Sequence, residues 1–478
     1  MIGGLMKSTS SLALTLAAGL ALSMSANAAD LGGNCCADLE ERVAELEATT
    51  ARKGNRKVSL TLSGQVNRAL MYYNDGGKSN TFFGLDNTQS STRFGFSGSA
   101  AINSEWKAGF TIVIDVADTG RAVSANQVNE DGGSLRGGNV TALPFRNNTN
   151  GDHLLRMRNA FWYLESSRIG RIQVGRMASS SSAGVIDLGG VSVLAATGEG
   201  CVGTSLFFRD AAGNLSGRQI GTYTQGCAHP GYRAESVQYI SPTFAGFTFS
   251  ASVGEAAHAE TSADNNTLSR REALGTNYGV DLKYANEFNG VRLAAVLGWE
   301  QSRLNDDDGV SYNSRYEQWG ISGSILHVPT GLFAQAWYSA ARSAPFDSTL
   351  TSTTVGQTGD STTSSSWHIQ GGVTRNWFGI GNTVLFAEYG RFDKWGQAQT
   401  ASLLNNVTSA SILGDKLSMW GLGVVQNVDA AAMELYLGYR NYKATDDVYS
   451  ATIPTGSNVA NGALKDIDVV MAGARIKF

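Results

Sequence analysis

Near its end the chain alternates. Val470, Ala472, Ala474, Ile476 and Phe478 fall on one face of an extended strand, and Gly473, Arg475 and Lys477 fall on the other. Asp468 breaks that parity at the strand's loop end. The same period of two recurs upstream. Over residues 57–72, Val58, Leu60, Leu62 and Val66 oppose Ser59, Thr61, Ser63 and Gln65. Over 106–117, Trp106, Ala108, Phe110, Ile112, Ile114 and Val116 oppose Lys107, Thr111 and Asp115. The pattern predicts strands at 57–72, 91–103, 106–117, 153–165, 168–176, 233–240, 247–255, 275–288, 291–302, 316–327, 332–341, 367–378, 382–392, 416–427, 432–442 and 467–478.

Those segments come in pairs. Within a pair the turn is short, as at Asn103-Ser104-Glu105, Pro242, Asn289-Gly290 and Pro329-Thr330-Gly331, and long polar loops join the pairs. An even number of strands with one apolar face, short turns at one end and long loops at the other predicts an all-β fold. It is a sixteen-stranded antiparallel transmembrane β-barrel over residues 57–478, the last strand closing on the first. Closure leaves no backbone edge unpaired in lipid. Tyr72, Tyr73, Trp106, Trp162, Tyr163, Trp377 and Phe378 sit near strand ends, where interface girdles are expected. A soluble sandwich would need two domains and a linker, and none is evident.

Composition agrees. After residue 29 no apolar run is long enough for a membrane helix, while 57 Gly, only 6 Pro and 9% aromatics favour extended structure. The formal charge of -4, with no basic block, gives no reason to expect nucleic acid as a partner. His153, His229, His258, His327 and His368 fall mostly in loops or at strand ends, with no nucleophile motif beside them. An enzyme, a cofactor or a metal centre is therefore not expected.

The first 28 residues have the form of a secretory signal: Lys7, an apolar stretch from Leu12 to Leu22, then Ala26-Asn27-Ala28. Residues 29–56 form an extension. Asp38-Leu39-Glu40-Glu41 resembles a capping box, and Cys36, Leu39, Val43 and Leu46 keep the spacing of a coiled-coil seam, so a short periplasmic helix is expected.

A barrel this wide encloses water unless something narrows it. The longest connection, 177–232, contains Val185-Ile186-Asp187-Leu188-Gly189-Gly190-Val191, too apolar for a solvated loop, and is expected to fold inward as the third extracellular loop. Cys201 and Cys227 lie within it, and an oxidising compartment makes a disulfide between them the default expectation. Strand parity points Arg93, Arg156 and Arg158 into the lumen; Arg68 shares parity with Val66 and Leu70 and points outward. Loop acids Asp187 and Glu199 facing those arginines would set a transverse field across a constriction.

These residues resemble the general diffusion porins, and more closely the alphaproteobacterial porin family. Ser91-Thr92-Arg93-Phe94-Gly95-Phe96-Ser97-Gly98 is similar to that superfamily's second strand, whose Arg belongs to a pore-lining cluster. Arg158-Asn159-Ala160-Phe161 through Gly170-Arg171-Ile172-Gln173-Val174-Gly175-Arg176 resembles the strand–turn–strand feeding the constriction loop, and 233–246 the strand leaving it. The resemblance implies a homotrimer of water-filled barrels in a Gram-negative outer membrane, among its lipids and lipopolysaccharide, passing small hydrophilic solutes and ions. It also makes Phe478 the signal read by the barrel-assembly machinery. Some alphaproteobacterial outer-membrane proteins with an Ala-Asp mature start are tied to peptidoglycan, so Ala29 is a candidate attachment point and a structural tether the alternative reading.

Overall fold

The computed structural model describes residues 58–87, 90–116, 125–127, 155–181, 186–191, 193–194, 202–211, 213, 215–224, 233–255, 276–304, 314–345, 362–394, 410–450 and 462–478. The signal segment, Ala29, the seam residues Cys36, Leu39, Val43 and Leu46, Glu199, and the Cys201–Cys227 pair lie outside the described residues.

The wall is a closed antiparallel barrel of sixteen strands. The described chain has twenty strands, of which β2, β7, β8 and β19 are not among the sixteen of the wall; in chain order they are β1 (Thr61–Asn74), β2 (Ser79–Asp86), β3 (Arg93–Ala101), β4 (Trp106–Val116), β5 (Leu155–Ser166), β6 (Gly170–Ala178), β7 (Phe207–Arg209), β8 (Leu215–Gln219), β9 (Arg233–Ile240) and β10 (Phe247–Glu255). They continue as β11 (Thr276–Phe288), β12 (Val291–Leu304), β13 (Ser314–His327), β14 (Leu332–Pro345), β15 (Thr362–Arg375), β16 (Thr383–Asp393), β17 (Ala410–Val428), β18 (Met433–Ser450), β19 (Gly462–Ala463) and β20 (Ile467–Lys477). Wall strands pair with their neighbours in sequence, and β20 closes on β1 from Gln65↔Lys477 to Asn74↔Asp468. Phe478 completes the seam: its N–H donates to Gly64 O at 3.0 Å, and Gly64 N–H donates to Phe478 O at 2.8 Å.

Short turns gather at one rim, the periplasmic one in this architecture. Asn289 and Gly290 both have positive φ (49° and 77°), as a two-residue hairpin with a primed turn requires. Gly331, at φ 74°, lies so close to the next strand that a Cβ would fall 2.0 Å from Thr374 O.

Polarity is inverted relative to a soluble protein. Leu62, Val66, Leu282, Leu297, Ile321, Leu422 and Leu437 are exposed on the outside, while Gln65, Asn67, Gln238, Gln318, Gln335 and Gln370 are buried inside. Apolar surface outside needs hydrocarbon around it, and polar surface inside needs water or polar partners.

Three details depart from the alternation. Residues 79–86, expected as loop, fold back as β2 along the upper half of β1, from Arg68↔Asp86 to Asn74↔Ser79, while β3 pairs the lower half. Between β4 and β5 the register slips at Val113/Ile114, which leaves Arg158 as the extra residue of a bulge. The slip reverses parity below it, so Phe161 pairs with inward Thr111 rather than sharing the outward face of Met157. Finally, the inner wall near the long loops is apolar rather than wet: Ile467, Val469 and Met471 are buried with Met71, Tyr73, Leu206 and Phe208. Tyr73 and Tyr163 are accordingly buried, not part of the outer girdle.

Candidate functional site in the barrel lumen

One row of the hydrogen-bond ladder collects the lumen charges. Lys477 of β20 pairs with Gln65 of β1, Gln65 with Arg93 of β3, Arg93 with Asp115 of β4, and Asp115 with Arg156 of β5. Gln65 is buried, so the whole row faces inward. The bulge swings Arg158 back into it, and its Nη1 donates to Asp115 Oδ2 at 3.0 Å. Asp115 Oδ1 accepts from Ser91 Oγ at 2.9 Å. Arg93 lies within electrostatic reach of Arg158, Asp115 and Arg475. One row nearer the long loops, Arg475 is bonded to Glu434 and Ser90 Oγ, and Nζ of Lys477 in the first row lies 3.1 Å from Glu434 Oε1. This arc of wall is cationic, with two carboxylates set into it.

Described residues of the long connection after β6 touch strands on the facing arc. Ser180 N–H donates to Ser252 Oγ on β10 at 2.8 Å, and Ser181 Oγ to Glu300 Oε2 on β12 at 2.7 Å. Gly189 then lies against the Phe333 ring of β14, where a Cβ would come within 2.5 Å of it, and Gly190 against Val384 of β16. Leu194 is seated over Gly423 and Gly438, whose missing side chains leave the hollow it occupies. Tyr442 Oη donates to Val202 O at 3.0 Å, and Asn87 Nδ2 to Val193 O at 2.8 Å. Described residues of this connection therefore contact β10, β12, β14, β16, β17 and β18.

A buried knot fastens it to other loops. Arg209 Nε lies 2.8 Å from Asp75 Oδ1, both residues being nearly inaccessible. Gln127 Nε2 donates to Asp75 Oδ2 at 3.2 Å and to Phe207 O at 2.8 Å. Lys465 N–H donates to Arg209 O at 2.8 Å. Burial pushes the Asp75 carboxyl up, but Arg209, the Lys78 N–H and Gln127 together hold it below the usual carboxylate value.

Of the residues singled out from sequence, Arg93, Arg156 and Arg158 come together around Asp115. Asp187 lies on the connection after β6, its Oδ1 accepting from Gly190 N–H at 2.8 Å beside the β14 side of the wall. Asp115, Arg475, Glu434 and Lys477 were missed as members of the cluster. Their inward parity was visible, but their adjacency depends on register. His368 was also misplaced: it is buried mid-strand, with Nε2 3.1 Å from Glu388 Oε2, and Arg440 is bonded to the same carboxylate. Among the described residues no group of three His, Cys, Asp or Glu could hold a metal ion.

A closed barrel, apolar outside and polar within, is the wall of a membrane channel. The chain belongs to the Gram-negative porin family, whose profile matches residues 13–463. It is an outer-membrane diffusion channel. No curated protein matches it. Among solved structures it is similar to OmpT, an outer membrane protein of Vibrio cholerae, at 12% identity over 89% of this chain and 99% of that one, with a TM-score of 0.47. OmpF of Salmonella typhi in complex with daunomycin is 15% identical over 88% and 98%, with a TM-score of 0.47. The outer membrane channel DcaP of Acinetobacter baumannii is 12% identical over 90% and 100%, with a TM-score of 0.45.

Proposed function

We propose that this channel passes small hydrophilic solutes and ions by passive diffusion, sieved where the inward connection of residues 179–232 narrows the lumen. The observation that carries the reading is the ladder row Lys477–Gln65–Arg93–Asp115–Arg156, with Arg158 folded onto it. Fixed charges on a low-dielectric wall act strongly on whatever crosses the gap. A dipolar solute or water can align in such a field, and an apolar solute must displace aligned water. Asp115 and Glu434 supply negative charge within the row, and Asp187 and Glu199 contribute from the loop side. Planar-bilayer reversal potentials in a salt gradient test this. Replacing Arg93 and Arg158 by Gln should move the potential toward cation preference; an unchanged potential would remove both residues from the constriction.

We also propose a homotrimer. Arg68 points outward from the middle of β1, its Nη1 donating to Gly84 O at 3.3 Å, and the adjoining outward residues of β20 include Ala472 and Ala474. A guanidinium facing acyl chains at mid-membrane costs about 2–4 kcal/mol. Cover by a neighbouring subunit removes that cost, and small residues let the walls approach. Unheated electrophoresis or mass photometry of the detergent-extracted protein should find three chains; a single chain would contradict the assembly.

A further inference from the structure

We infer that Asp115 is a resident counter-ion of the lumen: its carboxylate competes for Arg93 and Arg158 with small oxyanions such as phosphate, and so sets how long a passing anion stays. The inference deepens the channel reading proposed above and rests on it. Asp115 stands directly opposite Arg93 on β3 and Arg156 on β5, where cross-strand neighbours of opposite charge ordinarily pair. Its two oxygens go elsewhere. Oδ2 accepts from Arg158 Nη1 at 3.0 Å, and Oδ1 accepts from Ser91 Oγ at 2.9 Å. Arg93 is left within electrostatic reach of Asp115 and Arg158, with no hydrogen bond or ion pair to any described residue.

A stiff frame keeps the carboxylate where it is. Ser91 is buried, and Gln65 Nε2 donates to Ser91 O at 2.8 Å and to Ser90 O at 2.9 Å. Asn67 Nδ2 donates to Ser90 O at 2.9 Å, and Thr92 N–H to Asp86 Oδ1 at 2.9 Å. Fixing Ser91 in this way holds Asp115 on the Arg158 side, short of Arg93. A guanidinium presents five N–H donors in a planar fork that matches carboxylate and phosphate alike. Arg93 commits none of its donors to the described protein, and Arg158 commits only Nη1 to Asp115. The Arg158 and Asp115 side chains keep 20% and 13% of their surface exposed, so an anion in the lumen can reach them. A side chain already fixed beside the fork competes without the loss of freedom that a captured anion suffers. Asp115 therefore keeps capture brief. Conduction requires this, because a site in a pore must bind well enough to admit an ion and weakly enough to release it.

Phosphate block of chloride current through the full chain in planar bilayers tests the role. Asp115→Asn keeps the shape and removes the competitor. Inorganic phosphate should then halve the chloride current at a concentration at least tenfold lower than in the parent. R93Q/D115N should return that concentration to within threefold of the parent. Asp281→Asn, at a buried acid of β11, makes the same change of charge and should leave it within twofold. An unchanged D115N, a tighter block that survives the loss of Arg93, or an equal effect in D281N would each overturn the inference. Calorimetric titration of phosphate into the detergent-extracted proteins reads the same competition without current. Tighter phosphate binding by D115N in a protein that inserts but does not conduct contradicts the channel and spares the counter-ion; unchanged binding in one that conducts contradicts the counter-ion alone. Should D115N misfold, Arg93→Gln by itself should raise the half-blocking concentration of the parent at least threefold, and an unchanged value would contradict the proposal.

Discussion

The Arg209 guanidinium lies 2.8 Å from the Asp75 carboxylate, both nearly inaccessible, joining the connection after β6 to the turn between β1 and β2. Removing one partner of a buried pair strands the other and costs about 3–5 kcal/mol. Arg209→Met or Asp75→Asn alone should therefore loosen the loop, seen as faster gating noise in single-channel records. Replacing both should restore much of the quiet behaviour. A quiet single variant would deny the pair this role.

Acid should act on the same pair. Asp75 is held below its ordinary value near 4. A carboxyl depressed on folding contributes stability above its unfolded pKa and loses it only as pH falls through the lower folded value. Channel noise should therefore stay constant from neutral pH down to about 4 and rise only below that. In Asp75→Asn the acid-induced rise should disappear. A rise beginning near pH 6 would implicate a histidine instead.

Leu194 holds the loop against β17 and β18. A Cβ on Gly438 would sit 3.1 Å from Leu194 Cδ2, so Gly438→Val should lift the loop, and Leu194→Ala should empty its seat at about 2–5 kcal/mol. Both should raise single-channel conductance and admit larger sugars in liposome swelling. No change in either assay would mean that the loop does not set the pore size.

The wall was legible from sequence because period-two alternation survives in nearly every strand. β9, β10 and the Asn289-Gly290 and Pro329-Thr330-Gly331 turns fall where the pattern put them. Asp468, out of parity, is explained by its neighbours: it accepts from Tyr439 Oη at 2.7 Å and Asn441 Nδ2 at 2.9 Å on the outer face. The losses arose where tertiary contact overrides local pattern. Nothing within residues 79–86 says that they will pair with β1, and nothing near Arg158 announces a bulge. The apolar upper lumen was hidden for a related reason. Ile467, Val469 and Met471 look like ordinary strand residues until Leu206 and Phe208 arrive from more than 250 residues earlier in the chain to cover them.

Closure makes its own prediction. A Cβ on Gly64 would stand 2.4 Å from the Phe478 ring and 3.0 Å from Arg93 O. Gly64→Val should therefore strain the β1–β20 seam by about 1–3 kcal/mol. It should lower the temperature at which the folded, fast-migrating form is lost on unheated gels; an unchanged transition would mean the ring simply moves aside.

Single-channel recording of the purified, folded protein in planar bilayers tests the central claim most directly. A water-filled lumen predicts stepwise, ohmic conductance that scales with bulk electrolyte, with steps that resolve into three if the barrels assemble as proposed. Folded protein that inserts yet leaves the bilayer electrically silent would contradict it.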